Sequence, residues 1–278
     1  MRAGYRAGPT WKQPARRRLA RRLLLAGAVV ALAALFMPVA LRPAANALGA
    51  LPIFRVRTVE LTGLLYLTPE EVRAILPVRE GDNVLLLRPR DIESALLQNA
   101  RIASARVTRR LGGVSVRLHE RRPFALVSAG SLVEVDEGGV VLQPLERGLL
   151  ADRPVITGLR LGSVSSGERV ASPALRDLLH LVELLEEPQV SLIADISEIA
   201  YQSRSRAVLR TARDQIPIVI DPEEVSLLAM RALAATLRDI RARGRQVRFV
   251  DARYHGQVVV RCAPGSENTV APPARDKV

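Results

Sequence analysis

The 278-residue chain carries 41 Lys and Arg against 28 Asp and Glu, a formal net charge of +13, with 3% aromatic residues and one cysteine. That length allows two modest domains, and the lone Cys262 excludes an intramolecular disulfide and any CxxC metal or redox site. The charge does not indicate nucleic-acid binding: eight positives fall within the first 22 residues, no acid precedes Glu60, and neither a basic stripe nor a set of stacking aromatics follows.

Residues 1–22 form a basic tail holding Arg2, Arg6, Lys12, Arg16, Arg17, Arg18, Arg21 and Arg22. Residues 23–41 (LLLAGAVVALAALFMPVAL) contain no charge. As a helix they extend about 28 Å, close to the hydrocarbon thickness of a bilayer. The excess of positives before the run places the N-terminus in the cytoplasm and the rest of the chain outside. A cleaved signal peptide is the competing reading, since Ala45-Asn46-Ala47 offers an A-x-A site. The apolar run is longer than an ordinary signal core, which favours a single-pass anchor.

Residues 42–53 read as a linker, and 54–122 as a first module. Arg55 to Thr62 is strand-like and Gly63 closes it. Thr68-Pro69-Glu70-Glu71 predicts a helix start: Thr as N-cap, Pro at the first helical position, acids in the first turn. Pro77 stops that helix. An apolar run, Val84 to Leu87, follows the Gly81-Asp82-Asn83 turn. A second helix begins after Pro89 with Ile92, Leu96 and Leu97 at helical spacing. Ile102 to Arg110 reads as a strand, Gly112-Gly113 as a tight hairpin. Val114, Val116 and Leu118 alternate with polar residues, as in a half-buried strand. Strand-helix-helix-strand-strand makes a small α+β layer pair.

Residues 123–263 read as a second, mixed β domain with two longer helices. Leu132 to Asp136 and Val140 to Leu142 predict a hairpin about Glu137-Gly138-Gly139. Val155 to Leu159 is a short strand, and Ser172-Pro173 starts an amphipathic helix through Leu185. Ile196 to Gln202, Ala207 to Thr211 and Ile216 to Ile220 are predicted strands. Asp221-Pro222-Glu223-Glu224 is read as the start of a long helix that Gly244 ends. Val247 to Val250 and Gln257 to Arg261 are the last two strands. Residues 264–278 are polar and Pro-rich and are expected to be disordered.

Catalytic signatures are missing from this order of elements. His119, His180 and His255 are far apart and none has metal-ligand spacing. No GxSxG, SxxK, phosphate-binding or dinucleotide-binding glycine motif occurs, so no catalytic, cofactor-binding or metal site and no small-molecule substrate is expected. Glu120-Arg121-Arg122 reads as local, exposed ion pairs of small worth.

The ordered set FRVRTVELTG, LTPEEVRAIL, GDNVLLL, VSVRLHERRPFALV, EVDEGGVVL, PVITGL and VDARYHGQVVVR resembles the bacterial cell-division family FtsQ/DivIB. The resemblance implies a POTRA domain over 54–122 and the family's β domain over 123–263. It implies a non-enzymatic divisome scaffold in the cytoplasmic membrane, enriched at the septum. The partners it implies are FtsB and FtsL, with other divisome members at the POTRA region. FtsB would add a strand at the last strand of the β domain. The residues so implicated are Arg253, Tyr254, Gly256, Gln257, Val258, Val259, Val260 and Arg261. Tyr254 is then an interface anchor and Arg253 the cation for a partner carboxylate. Tyr254 packed on its own core, and an edge covered by its own chain, are the alternatives. Arg261 and Cys262 depart from the family pattern, and a further basic contact falls among Arg204, Arg206 and Arg210.

Overall fold

The computed structural model of the chain describes residues 51–262 apart from His255, together with Gly27 and Leu32. The basic tail, the rest of the expected anchor 23–41, the linker up to residue 50 and the expected disordered tail lie outside the described residues. Among those described, no helix is long and apolar enough to cross a membrane.

The elements are strands β1 (Thr58–Thr62), β2 (Ile102–Arg110) and β3 (Gly113–Glu120) with helices α1 (Pro69–Ile75) and α2 (Pro89–Leu96). There follow β4 (Ala125–Ala129), β5 (Ser131–Val135), β6 (Val155–Thr157), helix α3 (Pro173–Glu186), β7 (Ile196–Ser203), β8 (Arg206–Thr211) and β9 (Pro217–Ile220). Helix α4 (Leu227–Ala242), β10 (Val247–Asp251) and β11 (Val259–Cys262) complete the described fold. One sheet has three strands in the order β1-β3-β2, the other eight in the order β11-β10-β9-β8-β7-β6-β4-β5.

Local chemistry sets the first elements. Thr68 Oγ1 accepts from the Glu71 N–H at 3.2 Å while the Glu71 carboxylate accepts from the Thr68 N–H at 2.6 Å, a reciprocal cap that satisfies two otherwise orphaned donors. The same backbone hydrogen bond holds the Glu71 carboxyl below its ordinary range. Val114, Val116 and Leu118 are buried on one face of β3 while Arg117 and His119 are exposed on the other. Gly63 has φ +87°, and a Cβ there would stand 2.1 Å from the Leu118 carbonyl oxygen, so only glycine fits the close crossing. Gly158 meets the Tyr201 carbonyl in the same way.

The larger sheet packs its apolar face against α3 and α4. Leu178, Leu181, Val182 and Leu185 of α3 and Leu233 and Leu237 of α4 join Ile156, Ile199, Leu209 and Ile218 in one buried cluster. The expected hairpin about residues 137–139 is present in short form. The regular partner of β5 is β4, across Gly130, and residues 140–142 return along β5 through the single bridge Val135–Val141. Asp136 organises that return, its Oδ1 accepting from the N–H groups of Gly138 and Val140 at 2.9 and 2.8 Å. Helix α4 starts later than expected: Ser226 is its cap, accepting from Ala229 N–H at 3.3 Å. Asp221 instead closes a turn on the N–H of Glu223.

Glu120-Arg121-Arg122 is not a set of local pairs. The buried Glu120 carboxylate accepts three backbone N–H groups, from Leu65, Tyr66 and Leu67, at 2.9 to 3.1 Å. Arg121 reaches Asp136 at 2.8 Å and Arg122 reaches Glu186 at 2.6 Å. Beside them Arg101, with no exposed surface, pairs with buried Glu134 and donates from Nε to the Gln143 carbonyl. Glu134 also accepts from the Ala151 N–H at 2.7 Å.

Candidate partner-binding edge

Strand β10 runs parallel to β9, pairing Val250 with Ile218 and Asp251 with Val219, and the Ala252 N–H extends the ladder to the Val219 carbonyl at 2.8 Å. The chain then turns. Gln257 N–H donates to the Tyr254 carbonyl at 3.2 Å, and Gly256 takes φ +70°, which glycine adopts without strain. Strand β11 returns antiparallel to β10, with Val259 opposite Asp251, Val260 opposite Val250 and Arg261 opposite Phe249. A register irregularity between Val247 and Phe249 precedes the last pair, Val247 with Cys262.

Strand β11 is the end of the eight-stranded order, and among the described residues no strand pairs with its outer side. Its side chains alternate as the pleat requires. Val258, Val260 and Cys262 are buried in the core cluster, while Val259 is half-buried and Gln257 and Arg261 are exposed. The inner face therefore fixes the strand in register while its outer backbone faces away from the sheet. Cys262 belongs to the strand's inward row, and the strand starts two residues later than the sequence pattern predicts.

The predicted site residues separate by role. Tyr254 is 54% exposed, so it is not the core-packed aromatic of the alternative reading. Arg253 is not a free cation for a partner carboxylate: its Nε and Nη2 donate to the two carboxylate oxygens of Asp251 at 3.0 and 2.7 Å. Burial works to raise the Asp251 carboxyl, but hydrogen bonds from the Arg253 side chain and backbone, with the charges of Arg253 and Arg206, outweigh it and hold the group below its ordinary value of 3.8. Arg253 is correspondingly held above its ordinary range, chiefly by its hydrogen bonds to Asp251. Arg261 lays its guanidinium over the Phe249 ring at 5.1 Å, a cation–π contact on the exposed face.

The three basic candidates on and before β8 also separate. Arg206 donates to Gln202 at 2.8 Å and its charge reaches Asp251. Arg210 faces Glu198 on the neighbouring strand at 3.5 Å. Arg204 is largely exposed, 3.8 Å from Glu223. Sequence reasoning missed the Asp251–Arg253 clasp, although an acid two residues before an arginine at a strand end was a readable signal.

Residues 54–121 match the family described as POTRA domain, FtsQ-type, and residues 125–253 match the family described as Cell division protein FtsQ/DivIB, C-terminal. The second match ends before β11. The chain is 27% identical over 209 residues to the Cell division protein FtsQ of Geotalea daltonii, covering 75% of this chain and 76% of that protein. It is 37% identical over 191 residues to the protein of that name from Anaeromyxobacter sp. (strain K), covering 66% and 63%. With that of Syntrophotalea carbinolica the identity is 26% over 255 residues, or 90% of each chain.

Proposed function

The chain belongs to the FtsQ/DivIB family of cell division proteins, and from that premise we propose that it is a non-enzymatic divisome scaffold that binds FtsB, together with FtsL, along the outer edge of β11. The observation that carries this reading is the position of β11: last in its sheet, apolar and buried on its inner face, with no partner on its outer side among the described residues. A terminal strand presents N–H and C=O groups at the spacing another strand requires, so a partner segment gains affinity from backbone hydrogen bonds and specificity from alternate side chains. Tyr254 stands at the turn leading into that edge, a rigid aromatic with a polar tip suited to anchor the incoming chain. Arg253 serves indirectly, by holding Asp251 and the turn in place. Gly256 and Gln257 shape the turn, and Val258 and Val260 seat the strand.

The domains of this scaffold are a cytoplasmic tail (1–22), an anchor (23–41), a linker (42–53), a POTRA domain (54–122) that meets other divisome members, the β domain (123–263) and a terminal tail (264–278). The anchor holds the external domains at the cytoplasmic membrane, beside single-pass partners at the septum. Because the Ala252 N–H bonds to β9, Asp251 and its partner Val259 bond to each other, and the outward N–H of β11 is that of Val260. Replacing Val260 by proline removes that donor, which terminal strands tolerate better than central ones. Capture of FtsB by the V260P chain should fall by about tenfold or more, the weight of one or two backbone hydrogen bonds, with an unchanged circular dichroism spectrum. Retained capture would reject the edge-strand reading.

A further inference from the structure

We propose that the compact unit built by residues 51–58, 79–87 and 109–113, with exposed leucines at its tip, is a membrane-docking surface that rests on anionic phospholipid headgroups. These three segments form one compact unit. Backbone hydrogen bonds join them: Val56 N–H to the Asp82 carbonyl at 2.8 Å, Gly81 N–H to the Val56 carbonyl at 2.9 Å, Val84 N–H to the Phe54 carbonyl at 2.8 Å and Arg57 N–H to the Gly112 carbonyl at 2.9 Å. Arg109 closes the set by donating from Nη1 to the Leu85 carbonyl at 3.1 Å.

This tip holds its apolar side chains outward. Leu86 is 78% and Leu111 73% exposed, and Leu51, Ile53 and Leu85 are exposed beside them. Leu85 and Leu86, two of the three leucines of the 83–87 turn, are held out by hydrogen bonds to Asn83. Asn83 Oδ1 accepts from Leu85 N–H at 2.9 Å, the Asn83 carbonyl accepts from Leu86 N–H at 3.0 Å, and Val84 is the residue turned inward. Exposed leucines concentrated in one compact unit, rather than scattered singly, mark a surface that another phase or molecule covers.

The charge around them says which. Five arginines (Arg55, Arg57, Arg79, Arg109 and Arg110) share these segments with only Glu80 and Asp82, and Asp82 is engaged by the Arg79 backbone N–H at 2.7 Å. Leucines ringed by arginine, whose stems lie along apolar surface while their heads stay in the polar layer, match the acyl–headgroup boundary of an anionic bilayer. Tether length agrees. The ten steps from Leu41 to Leu51 span about 35 Å at most, so an anchor at 23–41 cannot let this unit drift far from the membrane.

This inference rests on the membrane anchor proposed above, and the test separates the two. Trp11 is the chain's only tryptophan. In a Trp11→Phe background, Leu111→Trp places a reporter at the tip and Leu149→Trp a control outside it. Each full-length chain is reconstituted into vesicles of phosphatidylglycerol or of phosphatidylcholine carrying acyl-chain bromines, with resistance to alkaline extraction as the measure of anchoring. Strong quenching of Leu111→Trp in phosphatidylglycerol, weaker quenching in phosphatidylcholine and none at Leu149→Trp is the expected result. Substituting Arg55, Arg79 and Arg110 by Gln should lower tip occupancy by about fivefold per charge removed.

An unquenched Leu111→Trp in chains that resist extraction overturns the docking surface and leaves the anchor standing. So does a tip reporter shielded only when a partner protein is added, which would make the patch a protein interface. Extraction of the chain rejects the anchor, and the tip then stands or falls on whether the same reporter is quenched by added phosphatidylglycerol vesicles.

Discussion

The two ends of the eight-stranded sheet are finished in opposite ways. At the β5 end the chain covers its own edge: Asp136 N–H donates to the Val140 carbonyl at 3.0 Å, Leu142 N–H donates to the Glu134 carbonyl at 2.8 Å, and Asp136 ties the intervening turn. Beneath that edge Glu134 is clasped by Arg101. At the β11 end no described residue pairs with the outer backbone. An open edge is a liability that folds ordinarily blunt. The chain closes one edge with its own backbone and a buried ion pair, and among the described residues β11 has no such cover.

The largest expected effect lies at the closed end. Arg101→Ala leaves Glu134 buried without its cation and should destabilise the protein by about 3–5 kcal/mol in urea unfolding. The double change Arg101→Met with Glu134→Leu should recover much of this, because it buries no unpaired charge. Neither should alter the affinity of the folded fraction for FtsB. A shared loss of both stability and binding would show that the two ends are not independent.

At the open end the expectation is the reverse. Tyr254→Ala should cost about 2 kcal/mol or more of FtsB affinity, as loss of an aromatic anchor does, and change unfolding free energy by less than about 0.5 kcal/mol, as an exposed site does. Titration calorimetry and urea unfolding of the same preparation read both. A change at neither end sets the scale between them: Thr68→Ala should cost about 1 kcal/mol through loss of the α1 cap, with affinity unchanged.

The smallest effect is acid dependence at the turn. Asp251 has a folded-state value depressed below 3.8. Its contribution to stability is present above that pH and is lost as the pH falls through the depressed value. Thermal unfolding of Asp251→Asn should therefore lie below that of the unmodified chain at neutral pH and converge with it at the acid limit. A constant gap at all pH values would mean that the carboxylate's charge is not what holds the turn.

Legibility followed physical locality. Thr68-Pro69-Glu70-Glu71 states its cap within four residues, and the alternation of Val114, Val116 and Leu118 states which face of β3 is buried. Val258, Val260 and Cys262 carry the same period, and so the last strand was visible. Strand β4 was not, because Ala125, Leu126 and Val127 are all buried and show no alternation to read. Arg101 was invisible for another reason. In a chain whose basic residues are almost all arginine, nothing local marks the one that turns inward, and its partners Glu134 and Gln143 lie over thirty residues away. The start of α4 misled because Asp221-Pro222 makes a turn as readily as a helix start.

Backbone amide exchange of Val259 to Cys262, measured on the full chain alone and saturated with FtsB, tests the central claim most directly. Pairing along the open edge predicts slowed exchange at alternate amides of β11, with little change at β5. Saturating FtsB with β11 exchange unaltered, and protection elsewhere, would contradict it.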